Sequence, residues 1–272
     1  MAPWLTIATV VKDDAAGFER TLASVDSQDL ADVELVVVDS SLDRDSVPAA
    51  LRGLTLSGSV HLSWSAPSGI YPAMNDALAA AAGDYVYFLN AGDELAERTV
   101  LAQVREALTA AEATWAFGPV EIVERSGAHV ITPSWDYRAE KRALFSRGLF
   151  PAHQGTFARR KLLESLGGFD LGYRISADYA MALRLSLVGD PLLLPFVIAR
   201  FHEGGTSTQD WRSSFAEFHR ARREILAPIR RARRDPADRT RRHDRVERVV
   251  RQAVSVGRAV EHASLLVGLA KG

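Results

Sequence analysis

Residues 69–94 read GIYPAMNDALAAAAGDYVYFLNAGDE, a helix, a buried strand and an acidic turn in immediate succession. Met74, Ala77, Leu78 and Ala81 recur at helical spacing, and Gly83-Asp84 stops the helix. Residues 85–89, YVYFL, have the β-branched and aromatic character of an interior strand and run straight into Asn90-Ala91-Gly92-Asp93. In an open α/β sheet the ligand site lies beyond the carboxyl ends of the strands. A short polar and acidic turn there is well placed to hold a metal ion and phosphates, with Asp93 as the first candidate. Asn, Gly and Asp are also ordinary turn residues, so the same four positions read equally as a surface turn that closes the strand and caps the next helix.

The flanking segments repeat the alternation. Residues 5–11, LTIATVV, form a first strand, and residues 17–28 a helix with Phe18, Leu22 and Val25 on one face. A second buried strand over 33–38 ends in DSSLD at 39–43. A short helix is expected over 45–52, a strand near 60–63 and a helix over 97–108. Strands alternating with helices predict an α/β fold, a mostly parallel, Rossmann-like central sheet with right-handed crossovers, flanked by helices. No G-x-G-x-x-G follows the first strand, which disfavours a dinucleotide enzyme. Further strands are expected over 114–124 and 128–132, joined as a hairpin at Ser126-Gly127. Residues 192–200 read as an edge strand, Pro195 being barred from a sheet centre.

At 272 residues the chain suits one large domain, or one domain with an appendage. Its 47% hydrophobic and 25% charged residues are those of an ordinary globular protein. No run approaches the roughly 18 apolar residues of a membrane span, and MAPWLTIATVV lacks the basic region that precedes the apolar one in a signal peptide. A cytoplasmic protein is therefore expected. The absence of cysteine fits a reducing compartment and excludes thiol nucleophiles, disulfides and cysteine-based metal sites.

The formal net charge of −1 conceals a polarity. Residues 1–211 carry 17 basic against 27 acidic side chains, net −10, while residues 212–272 carry 16 against 7, net +9. This predicts a catalytic domain over 1–211 and a basic helical extension over 212–272. Within the extension, RARREILAPIRRARR at 220–234 is followed by a break at Asp235-Pro236. A second piece places Val246, Val249, Val250, Ala253, Val256 and Val260 on one face, with arginines opposite. The acidic domain, anionic lipid headgroups and nucleic acid all fit such a surface. Without aromatic residues among the arginines, nucleic acid ranks last and is not expected as a partner. Oligomeric state cannot be read from these residues.

The segment GIYPAMNDALAAAAGDYVYFLNAGD at 69–93 resembles the G-I-Y-D-A-M-N-x-G…A-x-G-x-Y-x-x-F-L-N-x-G-D stretch of family 2 glycosyltransferases of the GT-A fold. IATVVKDDAAGFERTLASV at 7–25 is similar to their opening strand and helix, with Asp13 in place of an Asn, and DSSLD resembles their D-G-S-x-D turn. FPAHQGTF at 150–157 resembles their H-Q-x-x-F strand and LGGFD at 166–170 their L-G-G-F-D turn. ISADYAMALR at 175–184 resembles the E/A-D-Y-x-x-x-L-R helix, and FHEGGTST at 201–208 the F-x-x-G-G-x-S loop. The resemblance spans roughly residues 5–208.

That resemblance implies an inverting enzyme that moves a sugar from a nucleoside diphosphate sugar to a hydroxyl acceptor, which would be a glycan, a glycolipid or a cell-surface polysaccharide precursor. Thr9, Val11 and Asp39 would line the nucleoside pocket, and Asn75, Asn90 and Asp93 the rest of the donor site. About residues 1–110 would bind the donor and 111–211 the acceptor, with His153, Gln154, Gly168 and Asp170 on the acceptor side. Asp178 would be the general base, although its place in the first turn of an apolar helix also suits a charge that complements the helix dipole. A divalent ion, Mn2+ or Mg2+, would sit on Asp93, with His202 as a second candidate ligand. Arg184 would meet either the diphosphate or a carboxylate, with the carboxylate favoured. The glycines of the 201–208 loop would let it close over the donor. Membrane contact through 212–272 would place the protein at the inner face of the membrane.

The chain also departs from that pattern. Pro67 and Pro72 stand where these enzymes usually carry Asp, and the D-x-D metal motif is reduced to N-A-G-D. Pro72 in the first helical turn is structurally benign. Pro67 cannot replace a carboxylate, which leaves the donor base and sugar open. Two other classes therefore stand beside the enzyme: a catalytically silent GT-A domain that binds nucleotide or partner enzymes, and a nucleotidyltransferase. VVKDDAAG makes a poor phosphate loop for the latter.

Overall fold

The computed structural model describes residues 2–52, 58–132, 137–202 and 211–234. The Gly204-Gly205 segment and the second basic piece beyond residue 234 lie outside them. The chain divides into two compact units, one of residues 1–134, 151–160 and 191–205, the other of 135–150, 161–190 and 206–272.

In the first unit β1 (Leu5–Val11), α1 (Ala15–Asp26), β2 (Val33–Asp39), α2 (Ser46–Arg52), β3 (Ser59–Trp64), α3 (Ile70–Ala80) and β4 (Tyr85–Phe88) alternate as the apolar runs predict. After them come β5 (Glu94–Leu95), α4 (Val100–Ala111), β6 (Trp115–Phe117), β7 (Val120–Val123) and β8 (His129–Ile131). The unit then resumes with a 3-10 turn (His153–Gly155), β9 (Thr156–Arg159), β10 (Leu192–Leu193) and β11 (Ala199–His202). A seven-stranded sheet has the order β10-β6-β9-β4-β1-β2-β3, in which only β9 runs antiparallel to its neighbours. A smaller sheet has the order β5-β11-β7-β8.

Burial explains the central strands. All seven residues of β1, all seven of β2 and all four of β4 are buried, the continuous apolar run required of strands covered on both faces. Helix α1 is started by Asp14, whose side chain accepts from Gly17 N at 2.9 Å, and buries Phe18, Leu22 and Val25 with Thr21 among them. Asp39 closes β2 at its carboxyl end, and Glu34 is the charged exception within the strand. Its buried carboxylate survives because Thr6 Oγ1 (2.5 Å) and Ala82 N (2.9 Å) both donate to Oε2.

Two expected strands are each divided. Residues 114–124 break at Gly118-Pro119 into β6 and β7, and residues 192–200 break near Pro195 into β10 and β11. The two breaks lie side by side: β10 pairs with β6 in the large sheet and β11 with β7 in the small one, both in parallel. Proline has no N–H for a ladder, so paired strands leave one sheet at prolines and re-form in the next. The expected hairpin is present between β7 and β8, with Gly127 at φ +82°.

The second unit is helical, with α5 (Tyr137–Ser146), α6 (Arg160–Ser165), whose first residue closes the first unit, α7 (Ala177–Val188) and α8 (Trp211–Arg234). Eight of the twelve residues of α7 are buried, as expected of a helix that is apolar on most of its faces. Tyr179 packs edge-on to Phe145 and Phe150 and lies 4.3 Å from the Phe218 ring of α8. Lys141 and Asp190 form a buried ion pair at 2.6 Å. Among the described residues no helix is long and apolar enough to cross a membrane.

Candidate functional site

The strand order β3-β2-β1-β4 reverses direction of growth at β1, so the carboxyl ends of β1 and β4 flank a topological switch point, where α/β sheets bind ligands. Backbone hydrogen bonds hold these ends level. Ala91 N donates to Val10 O at 3.1 Å, Ser40 N to Val11 O at 2.8 Å and Ser65 N to Asp39 O at 2.9 Å. Val11, Asp39 and the Asn90–Asp93 turn, read from sequence as separate candidates, thus share one sheet edge. The loop after β1 is tied across it: Asp13, at φ +53°, donates its N–H to Ser41 Oγ (2.9 Å) and accepts Leu42 N at Oδ1 (2.8 Å). Asn and Asp both tolerate this left-handed backbone. Asp39 is 3% exposed and accepts Ser41 N at 2.8 Å. Thr9 is fully buried with Oγ1 unpartnered, and Asn75 is half-buried on α3.

Asp93 lies at the centre of the edge. Burial pushes its carboxyl up from the ordinary 3.8 to about 7, against the opposing pull of His153, a hydrogen bond from the Gln154 side chain and one from the Asn90 backbone. The Tyr87 hydroxyl, raised well above its usual value by burial and by the Asp93 charge, donates to Gln154 O at 2.8 Å. His153 and Gln154, expected on a strand, occupy the 3-10 turn before β9, and this turn carries them to Asp93. Asn90 Nδ2 lies 3.2 Å from His153 Nε2, while Asn90 Oδ1 is buried and unpartnered. Turning the amide over presents Oδ1 to an Nε2–H of the ring, so one amide flip satisfies the buried oxygen.

His202 reaches Glu94, Nε2 to Oε1 2.7 Å, across the β11–β5 pair. To serve a metal it must use Nδ1 or release that carboxylate. Among the described residues no three His, Asp or Glu side chains converge to hold an ion by themselves. The donor set suits a different kind of site, in which one carboxylate, Asp93, is completed by phosphate oxygens and water, the usual habit of a small hard cation.

One group of residues escaped the sequence reading. Thr21 Oγ1 donates to Asp93 O at 2.7 Å and accepts from Gly92 N at 3.0 Å, Ser24 Oγ accepts from Leu95 N at 3.0 Å, and Gln28 bonds Glu97 O at 2.8 Å and Leu101 N at 3.2 Å. These three form one stripe of α1 and its end, gripping the backbone from the acidic turn into α4. Their helical spacing was visible, but polar residues so spaced read as a solvated face until the partner segment is known.

In the second unit the L-G-G-F-D stretch is a turn with Gly167 and Gly168 at φ +83° and +66°, where a side chain would be strained. Asp170 accepts Gly172 N at Oδ1 (3.0 Å) and pairs through Oδ2 with Arg184 at 2.7 Å, the carboxylate partner expected for that arginine. Asp178 stands in the first turn of α7, half-buried, with Oδ1 accepting Tyr179 N at 2.8 Å.

A family model described as glycosyl transferase family 2 matches residues 6–167. An uncharacterised glycosyltransferase of Mycobacterium tuberculosis (strain H37Rv) is 30% identical over 211 residues, covering 76% of this chain and 78% of that protein. A PGL/p-HBAD biosynthesis glycosyltransferase of Mycobacterium bovis BCG is 30% identical over 214 residues, covering 75% and 78%. Among solved structures, S. aureus TarS 1-349 in complex with UDP-GlcNAc is similar at a TM-score of 0.67, over 93% of this chain and 72% of that one, at 16% identity. The mannosyltransferase PcManGT from Pyrobaculum calidifontis, in complex with GDP-Man and Mn2+, is similar at 0.58, over 98% and 79%, at 22% identity. A longer TarS chain is matched over 39% of its length. These likenesses bear out the α/β fold with a mostly parallel sheet flanked by helices, shared with GT-A proteins. With the family model spanning more than half the chain, and relatives of this identity over three quarters of it, the protein belongs to glycosyl transferase family 2 and is a glycosyltransferase.

Proposed function

We propose that the protein transfers a sugar, with inversion, from a nucleoside diphosphate sugar to a hydroxyl acceptor. The observation that carries this reading is the sheet edge, where Val11, Asp39, Asn90 and Asp93 stand level at the switch point. Asp39 takes hydrogen bonds from the nucleoside, and Asp93 faces the diphosphate. Asp93, with His202 as the second candidate, would hold a Mn2+ or Mg2+ ion, which when bound supplies positive charge against the leaving diphosphate. The gain for Asp93 is direct, because a cation relieves the burial that makes its charged form costly. His153, Gln154, Gly168 and Asp170 belong to the acceptor side. Asp178 accepts the proton of the attacking hydroxyl as that oxygen bonds to the anomeric carbon and the diphosphate departs. No covalent enzyme intermediate is required. The complexes of TarS with UDP-GlcNAc and of PcManGT with GDP-Man and Mn2+ support a nucleotide-sugar donor and a metal.

The test is Asp178→Asn, followed by single-turnover sugar transfer beside nucleoside diphosphate titration. Asn keeps the size and most of the hydrogen bonding but cannot take the proton, so transfer falls by about 10² to 10⁴ while nucleotide affinity stays near the parent's. Parental transfer by the variant refutes the assignment, and His153 becomes the next residue to examine.

The basic extension over 212–272 belongs at an anionic membrane surface, where the hydroxyl of a lipid-linked acceptor would be found. Its net charge of +9 supports this, as does the exposed stripe of Arg212, Phe215, His219 and Arg223 on α8. Vesicles containing phosphatidylglycerol should co-sediment the full chain at low salt and release it as salt rises, because screening acts over roughly 8 Å at physiological ionic strength. Absence of co-sedimentation at low salt refutes membrane contact.

A further inference from the structure

The loop leading into α7 is held from α8, some forty residues on. Glu217 turns its carboxylate into three consecutive backbone amides: Oε1 accepts Arg174 N, and Oε2 accepts Ile175 N and Ser176 N, each at 2.9 Å. The Glu217 side chain is only 16% exposed. These amides run up to Ser176, the N-cap of α7, whose own side chain makes no capping bond. A helix start leaves N–H groups unsatisfied and carries positive partial charge, and a carboxylate from elsewhere in the chain answers both. Neighbouring residues of α8 extend the grip. Arg220 donates to Gly172 O, Tyr173 OH donates to Glu224 Oε2 at 2.6 Å, and Arg222 donates to Phe145 O at 2.8 Å and to Tyr179 OH at 2.9 Å. Residues 217–224 thus bind both sides of Asp178.

We infer that Glu217 is a positioning residue for Asp178, so that the first helix of the basic extension is part of the catalytic apparatus rather than an appendage to it. This rests on the reading of Asp178 as the general base. Charge-assisted hydrogen bonds to three successive amides fix where the first turn of α7 begins, and with it the direction of the Asp178 side chain two residues later. Displacing a catalytic group by about 1 Å costs about 10²-fold in rate. Removing the Glu217 carboxylate frees the 174–176 backbone at the point where that displacement is made.

The experiment uses the full chain as the parent, Glu217→Ala, Glu217→Gln and Asp178→Asn, all well below the lowest melting midpoint of the set. Amide hydrogen exchange reads the grip. Single-turnover release of nucleoside diphosphate from UDP-N-acetylglucosamine and from GDP-mannose, with water as the acceptor, reads the chemistry, and UDP and GDP titrations with Mn2+ read donor binding. In Glu217→Ala the amides of 174–179 exchange at least about tenfold faster, release slows by about 10- to 100-fold, and nucleotide affinity stays within about twofold. Glu217→Gln lies between, because its one carbonyl oxygen can serve only part of the three amides. Unchanged protection at 174–176 overturns the grip. Release at the parental rate by Glu217→Ala, with Asp178→Asn slow, overturns the positioning role alone, even if the melting midpoint falls. Parental release by Asp178→Asn overturns the base reading and this role with it.

Discussion

Replacing Asp93 by Asn should remove a pH dependence of stability that the parent carries in the absence of metal. Asp93 holds its proton in the folded protein up to about pH 7, against 3.8 for an ordinary carboxyl, because burial penalises the charge. Between those two values the folded state binds more protons than the unfolded one, so stability falls as pH rises through the window. At 1.36 kcal/mol per pH unit, the part of the window between pH 5 and 7 corresponds to roughly 2–3 kcal/mol. For a chain of this size that is a fall of roughly 5–10 °C in melting midpoint. Asn resembles the protonated carboxyl and cannot ionise, so the variant should lack this component and overtake the parent near pH 8. The assay is thermal and urea unfolding of both proteins in EDTA from pH 5 to 8. Divalent cation with nucleoside diphosphate should reverse the parent's loss and leave the variant unmoved, because a cation stabilises the ionised carboxylate. Parallel pH profiles for the two proteins would refute the claim that burial governs Asp93.

Two further predictions concern the framework of the site. Thr21→Val keeps the volume but leaves Asp93 O and Gly92 N without their hydroxyl partner, which should cost about 1–3 kcal/mol in urea unfolding, with Thr21→Ser recovering most of it; a parental midpoint in the Val variant would refute the grip of α1 on the acidic turn. Gly83→Ala would bring a Cβ to 2.5 Å from Thr6 N and 2.7 Å from Leu5 C, backbone atoms of a central strand that cannot yield, and should cost about 1–3 kcal/mol. Gly127→Ala, which meets nothing within 4 Å, is its comparison and should show only the strain of its positive φ, about 1–2 kcal/mol. Equal midpoints for parent and Gly83→Ala would show that the helix-to-strand turn is looser than its packing implies.

What could be read from the sequence was local. The runs LTIATVV, VELVVVD and YVYF are mostly apolar because both faces of their strands are covered, so composition alone marks them as interior strands. The stop at Gly83-Asp84 and the turn at Asn90–Asp93 are equally local, since backbone conformation there depends on the residues themselves. The hairpin at Gly127 followed from the same kind of reasoning.

The tertiary structure decided whatever depends on a partner distant in the chain. Pro119 and Pro195 each stand inside a run expected as one strand, and only the tertiary structure shows that both runs break there and that the two breaks are a single passage from one sheet to the other. A threonine in the middle of α1 has nothing in its neighbourhood to connect it with Gly92 and Asp93, 71 and 72 residues on. The same holds for Glu217, one of the few acidic residues in a basic stretch, whose carboxylate meets amides 41–43 residues earlier. The charge count that set residues 212–272 apart recorded net charge faithfully and concealed this contact, because the carboxylates of Glu217 and Glu224, which accept hydrogen bonds from the segment leading into α7, belong to the minority charge. Hydrophobic periodicity and turn chemistry act over a few residues and are written in order along the chain. Hydrogen bonds between elements are chosen by the folded geometry, and they determine which carboxylates are buried, held and raised.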